Sequence, residues 1–250
     1  MIQRMAASAL FAGFAAGLFA AALHFAFVEP ILLDAEQYES GLLVHVGVAS
    51  GGHDHAAHDH TAVPEVAAPA IAAPAPAAAS PVDWGRHGLT VVFHALVYSG
   101  YGLVLVAGFA VAEMAGQRVS PRAGLIWGLA GFIAVQFAPS AGLPPELPGM
   151  AGGDLTARQV WWVGTVLATG AGLALIGFGR NAAALGLAVV LIAGPHLIGA
   201  PRPAEMTGPV PPELAALFAS RTLGVGMAVW AVLGLVAAAI WDRMPGWRRR

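Results

Sequence analysis

Cysteine is absent from all 250 residues. Disulfides, thiolate metal centres, iron–sulfur clusters and a cysteine nucleophile are excluded together. Lysine is absent as well, and the 12 basic residues are all arginine. With 14 acidic residues the formal net charge is -2, which leaves no basic face for nucleic acid. Charge of either sign is scarce, at 10% of the chain where a soluble domain carries about 25%. So few charges cannot clothe a water-facing surface. Catalytic phrases are missing too. There is no Gly-Lys-Ser/Thr phosphate loop, no His-Glu-x-x-His pair and no Gly-x-Ser-x-Gly elbow. The chain therefore reads as a non-enzyme with no resident cofactor. Seven scattered methionines offer no thioether route for copper(I).

What is there is apolar: 58% of the residues, with a mean hydropathy of +0.71. A membrane span needs roughly 20 apolar residues, because about 30 Å of hydrocarbon is crossed at about 1.5 Å per residue. Six stretches meet or approach that length: Met5 to Val28, Leu89 to Ala112, Ala123 to Gly142, Gln159 to Phe178, Ala182 to Gly199, and Leu214 to Ile240. Only the last holds a charge, Arg221. The expected fold is all-α: one polytopic transmembrane helical bundle of about six spans. The fifth stretch is the shortest and carries Pro195. Small residues four apart, as in Gly13-Phe14-Ala15-Ala16-Gly17, predict close helix approach. The first apolar run is far longer than the 7–15 or so of a secretory signal, so it is read as a retained helix, with cleavage near Ala20 to Ala22 as the alternative.

Arginine asymmetry sets the expected orientation. With both termini cytoplasmic, eight arginines fall inside and Arg86, Arg158, Arg202 and Arg221 outside. Twelve of the 14 acidic residues then lie outside, giving net charges of +6 within and -8 without. The expected location is the bacterial cytoplasmic (inner) membrane. Trp84, Trp161 and Trp162 would mark its outer boundary, and Trp127 and Trp241 its inner one.

The first outer loop, residues 29–86, holds the sharpest chemistry. An acidic stretch carries Glu29, Glu36 and Glu39, and His53, His55, His58 and His60 follow within eight residues that also hold Asp54 and Asp59. Imidazole suits cobalt, nickel, zinc and copper, so this tract reads as an antenna for divalent ions, or else as an adventitious low-complexity stretch. An Ala/Pro-rich spacer, 64–81, comes next. Within the spans, His24, His94 and His196 all fall in the expected outer half, and ionisable groups there are functional candidates. His87 and His94, seven apart, share a helix face, and Gln136 sits at a similar level. Converging histidines below an acidic mouth look like a descending series of metal sites, with single helix–helix hydrogen bonds as the plainer reading. Arg221 is expected to snorkel outward or to pair with Glu146, Glu205 or Glu213. The phrases Leu143-Pro144-Pro145-Glu146-Leu147 and Val210-Pro211-Pro212-Glu213-Leu214 hint at a parallel repeat of one outward hairpin.

Several phrases together resemble the probable cobalt transporter subunit family, CbtA type. They are Phe27-Val28-Glu29-Pro30-Ile31, Ala35-Glu36-Gln37-Tyr38-Glu39, the His-Asp-His loop, Leu143 to Gly149, Arg158-Gln159-Val160-Trp161-Trp162, and Pro195-His196-Leu197-Ile198-Gly199-Ala200-Pro201. The likeness spans nearly the whole chain except the Ala/Pro spacer. It implies cobalt uptake, with nickel as a second candidate ion, alongside a small His-containing membrane partner of CbtB type. It marks Glu29, Glu36, Glu39, the loop histidines and His196 as residues to watch. Two other classes remain open on the residues: a membrane-bound metal sensor or chaperone, and a hydrolytic metalloenzyme, for which no nucleophile or general base is visible.

Overall fold

The computed structural model describes residues 2–44, 83–205 and 207–244, and all their regular structure is helical. Six helices run α1 Ile2–Glu39, α2 Trp84–Met114, α3 Pro121–Ser140, α4 Leu155–Phe178, α5 Ala182–Ile198 and α6 Pro212–Arg243. Side-chain caps start four of them. Asp83, Ser120, Asp154 and Asn181 accept the backbone N–H of the residue three further on. α6 instead opens on Pro212 and Glu213, a ring with no N–H to orphan and a charge that suits the dipole. The histidine tract 53–60 and the spacer 64–81 lie outside the described residues.

Five helices are long and apolar enough to cross a bilayer, and the chain is a multi-pass membrane protein. The sixth, α5, has 17 residues, or ~26 Å at 1.5 Å each, short of the ~30 Å core. The expected six spans are thus five full-length helices and one short one. Pro195 sits three residues before the α5 end, and Gly199, at φ 88°, stops the helix in a conformation that favours glycine.

Glycine sets the helix register. A Cβ on Gly13 would stand 2.7 Å from the Tyr98 carbonyl oxygen, and one on Gly17 would stand 2.8 Å from that of His94. The glycine pair foreseen in α1 is therefore the seam along which α2 lies antiparallel. α3 and α6 meet the same way, through Gly124 and Gly128 against Gly234 and the Trp230 carbonyl. α1, α2, α3 and α6 share one core of small residues and large aromatics. α4 packs on α3, and α5 meets α4 alone among the described helices. Gly17→Val should push α2 away from α1, destabilise the purified protein by about 1–3 kcal/mol, and displace His94 with it. A thermal scan beside a cobalt-uptake assay reads both; an unchanged Tm would refute the tight seam.

Two helices carry one wide, π-helical turn each, His24–Val28 in α1 and Ile133–Phe137 in α3. Each is followed two residues later by a proline, Pro30 or Pro139. A proline inside a helix has no N–H and clashes with the carbonyl four residues back, and a turn closed by an i→i+5 bond relieves both. Glu29 and Ala138 supply that bond, donating to the carbonyls of His24 and Ile133.

At the end where α1 finishes and α6 begins, Ile31 and Ala35 form a second small core with Leu147 and Val210 from the loops after α3 and α5. The Ala151 N–H donates to the Thr207 carbonyl and ties those loops together. Both Pro-Pro-Glu phrases border one cavity of about 840 Å³. The first lies in a loop eight residues before α4, whereas the second leads directly into α6. α5 and α6 make no direct contact. The expected repeat of one hairpin is not what the fold contains.

The opposite end is tied by Arg4, whose side chain is 9% exposed. Its guanidinium donates to both Glu113 carboxylate oxygens, at 2.8 and 3.0 Å, and to the Trp241 carbonyl at 2.7 and 2.9 Å. It also lies 3.8 Å over the Trp241 ring, whose Nε1 donates to Glu113. Trp241, expected at a lipid interface, is buried in this knot because its ring and its carbonyl both serve Arg4.

Candidate functional site

The wide turn of α1 decides which face its polar residues share. In a regular α-helix, residues five apart end ~140° around from each other. A turn closed between residues i and i+5 stacks them instead, so Glu29 lies over His24 on one face. The glycine seam already holds α2 against that face. Three ionisable pairs result, climbing the α1–α2 boundary.

Deepest are His24 and His94, with ring centroids 5.1 Å apart. Next, Glu29 Oε1 lies 3.3 Å from His87 Nδ1, an ion-pairing distance without hydrogen-bond alignment. The Glu29 side chain is 12% exposed and His87 stacks edge-on against Phe25. Uppermost, Arg86 donates to both oxygens of Glu36, at 2.7 and 3.2 Å. From His24 to Glu36 the ladder rises ~18 Å, twelve residues at 1.5 Å each.

The His94 ring is held by a backbone contact. Its Nδ1 lies 2.8 Å from the Thr90 carbonyl oxygen. A carbonyl only accepts, so in the neutral ring that nitrogen carries the proton and the Nε2 lone pair is left for a metal. Backbone bonds of this kind commonly hold ligand histidines. Two imidazoles sharing one ion at ~2.1 Å bonds and ~109° would have centroids roughly 5 Å apart. The pair has that spacing. No group of three His, Cys, Asp or Glu side chains placed for a metal occurs among the described residues, so an ion here would keep water ligands.

Below the histidines the bundle is filled. Tyr101 stacks on Trp230 at 4.9 Å, Tyr98 meets Tyr101 edge-on, and Phe109 packs against Trp241 further down. Phe109, Trp230 and Trp241 are all buried. The histidine pair thus stands at the top of a closed aromatic core.

The remaining candidates lie elsewhere. His196 sits at the end of α5 with its ring 6.0 Å from Trp161. α5 touches only α4 among the described helices, so His196 does not join His24 and His94. Glu39, at the α1 end, borders Gly149 of the loop after α3. His53, His55, His58 and His60 lie outside the described residues. Among the described residues Arg221 has no acidic partner; it donates to the Phe27 carbonyl inside the wide turn, at 3.2 Å. Glu146 pairs with Arg158 instead, at 2.6 Å. Along the sequence Arg86 is only an outer charge. Its partner Glu36 is 50 positions away, and no local spacing signals that distance.

No curated protein and no solved structure matches the chain. The profile of the family described as "Probable cobalt transporter subunit (CbtA)" matches residues 2–242. A multi-pass helical bundle with a histidine pair on its central seam, matched over that span, belongs to the CbtA family of probable cobalt transporter subunits.

Proposed function

We propose that this protein carries divalent cobalt, with nickel as the second candidate ion, inward across the bacterial cytoplasmic membrane, with both termini on the cytoplasmic side. The observation that carries the reading is the climbing series of His24/His94, Glu29/His87 and Glu36/Arg86 along one helix boundary. Ionisable side chains within membrane helices are expensive and mark ion paths. The outer acidic groups concentrate cations, and the tract His53, His55, His58 and His60 captures them. Glu36 and Glu29 receive the ion, and the imidazole pair holds it as water is shed. Glu39 and His196 flank the path rather than line it. A membrane potential, negative inside, supplies about 2.3 kcal/mol per charge per 100 mV, enough to drive a dication without ATP.

The aromatic core beneath the pair means that release inward requires the helices to move. That requirement favours a partner, proposed here as the small His-containing CbtB-type subunit. It also keeps a second reading in view, a metal-binding sensor or chaperone subunit that does not transport. Radiocobalt uptake into vesicles holding this chain alone, or this chain with the partner, separates the two. Uptake in either preparation is the expected result; none in both, with metal still bound, would establish the second reading.

Deleting residues 53–60 should raise the external cobalt needed for half-maximal uptake while leaving the maximum largely intact. Unchanged uptake at low cobalt would remove the antenna. Orientation is testable apart from transport. Cysteines placed at Ser50 and Ser120 of this cysteine-free chain should react with an impermeant maleimide from outside only at position 50. Labelling at 120 alone would invert the topology.

A further inference from the structure

The second wide turn has no role in the ladder, yet it repeats the spacing of the first. Gln136 lies inside it, and its Oε1 is buried without a hydrogen-bond partner among the described residues. The oxygen faces α6 at Gly226, where any Cβ would collide with it. Thr222, one turn before Gly226 and on the same side of α6, has a buried, unpartnered Oγ1 as well. Orphaned oxygens in apolar surroundings are unstable unless something satisfies them. Here two buried side-chain oxygens lie along the α3–α6 boundary, one on each helix.

We propose that this place is a second cation site, lined only by oxygen, and that it takes a sodium ion. Oxygen donors suit hard cations, while a borderline ion such as cobalt has imidazole available at the other turn. The facing donors are neutral, and a dication stripped of water would need a carboxylate to balance it. A monovalent ion does not. Arg221, the nearest cation in sequence, is directed to the Phe27 carbonyl on α1. Both wide turns therefore bear on the same stretch of α6, Arg221 to Gly226, one through a guanidinium and the other through a glycine. Coupling between the two ions through α6 is the part of this inference that rests on the transport reading; binding of sodium does not.

The test uses the purified full-length protein in lipid nanodiscs without cobalt. Sodium chloride is titrated against N-methylglucamine chloride at constant ionic strength, with tryptophan fluorescence and Tm as readouts. Trp230, one turn from Gly226, places a reporter beside the site. A saturable sodium response is expected, weakened at least tenfold in Thr222→Val and in Gln136→Leu, and strengthened in Gln136→Glu. Thr222→Val keeps the side-chain shape, so a folding defect in Gln136→Leu would not blunt the test. No response beyond that to N-methylglucamine, or an equal response in Thr222→Val, would show that the oxygens are satisfied by water and overturn the site. Cobalt uptake in cells, measured separately, decides the transport reading whatever sodium does.

Discussion

His94→Ala should lower maximal cobalt uptake by about tenfold or more, as loss of an oriented ligand does. His24→Ala should do the same. If the two rings hold one ion, the double variant should be little worse than either single one, because the first removal has already broken the shared site. His196→Ala should transport near the wild-type level, since α5 reaches neither ring. Initial rates of radiocobalt uptake, normalised to protein in the membrane, provide the measurement. Wild-type maxima in both His24→Ala and His94→Ala would reduce the pair to a helix–helix contact. Loss of activity in His196→Ala alone would move the path to the α4–α5 side of the bundle.

Arg4→Ala should cost about 3–5 kcal/mol of stability, the usual effect of removing one partner from a buried ion pair. The Glu113 carboxylate, its side chain 25% exposed, would remain half-buried and stripped of both guanidinium bonds. The Trp241 carbonyl, among the last four of α6 and without an intrahelical donor, would lose its two as well. Replacing both charges, as Arg4→Met with Glu113→Leu, should recover much of the loss, because no charge is then left buried without a partner. Unfolding of the purified protein in mixed micelles by denaturing detergent gives the comparison. A loss below about 1 kcal/mol in Arg4→Ala would place the pair with exposed, weak ion pairs. A double variant as unstable as the single one would show that the Trp241 contacts, rather than the charge, hold the three helix ends together.

These two sites differ in how far the sequence announces them. His94 is conspicuous as an imidazole in an apolar run, and its seven-residue spacing from His87 already puts both on one helix face. The partner ring is not conspicuous, because pairing His24 with His94 needs the register between two helices 70 positions apart. Arg4 looks like an ordinary leading charge. Only the meeting of three helix ends turns it into a buried tie.

Membership of the membrane class, the approximate number of helices and the small-residue spacing that lets α1 be approached closely are all written in contiguous residues. Hydropathy and Gly-x-x-x-Gly spacing act within one helix, so they can be read along the chain. What only the tertiary structure decides is anything that depends on rotation or register. The π turn before Pro30 swings Glu29 onto the face of His24, glycine seams slide α2 and α6 to their levels, and α5 carries His196 out to the flank. A helix repeats every 3.6 residues whatever stands opposite it. Partners across a boundary are therefore fixed by which backbones can touch, a property of pairs of helices that no single stretch of sequence contains.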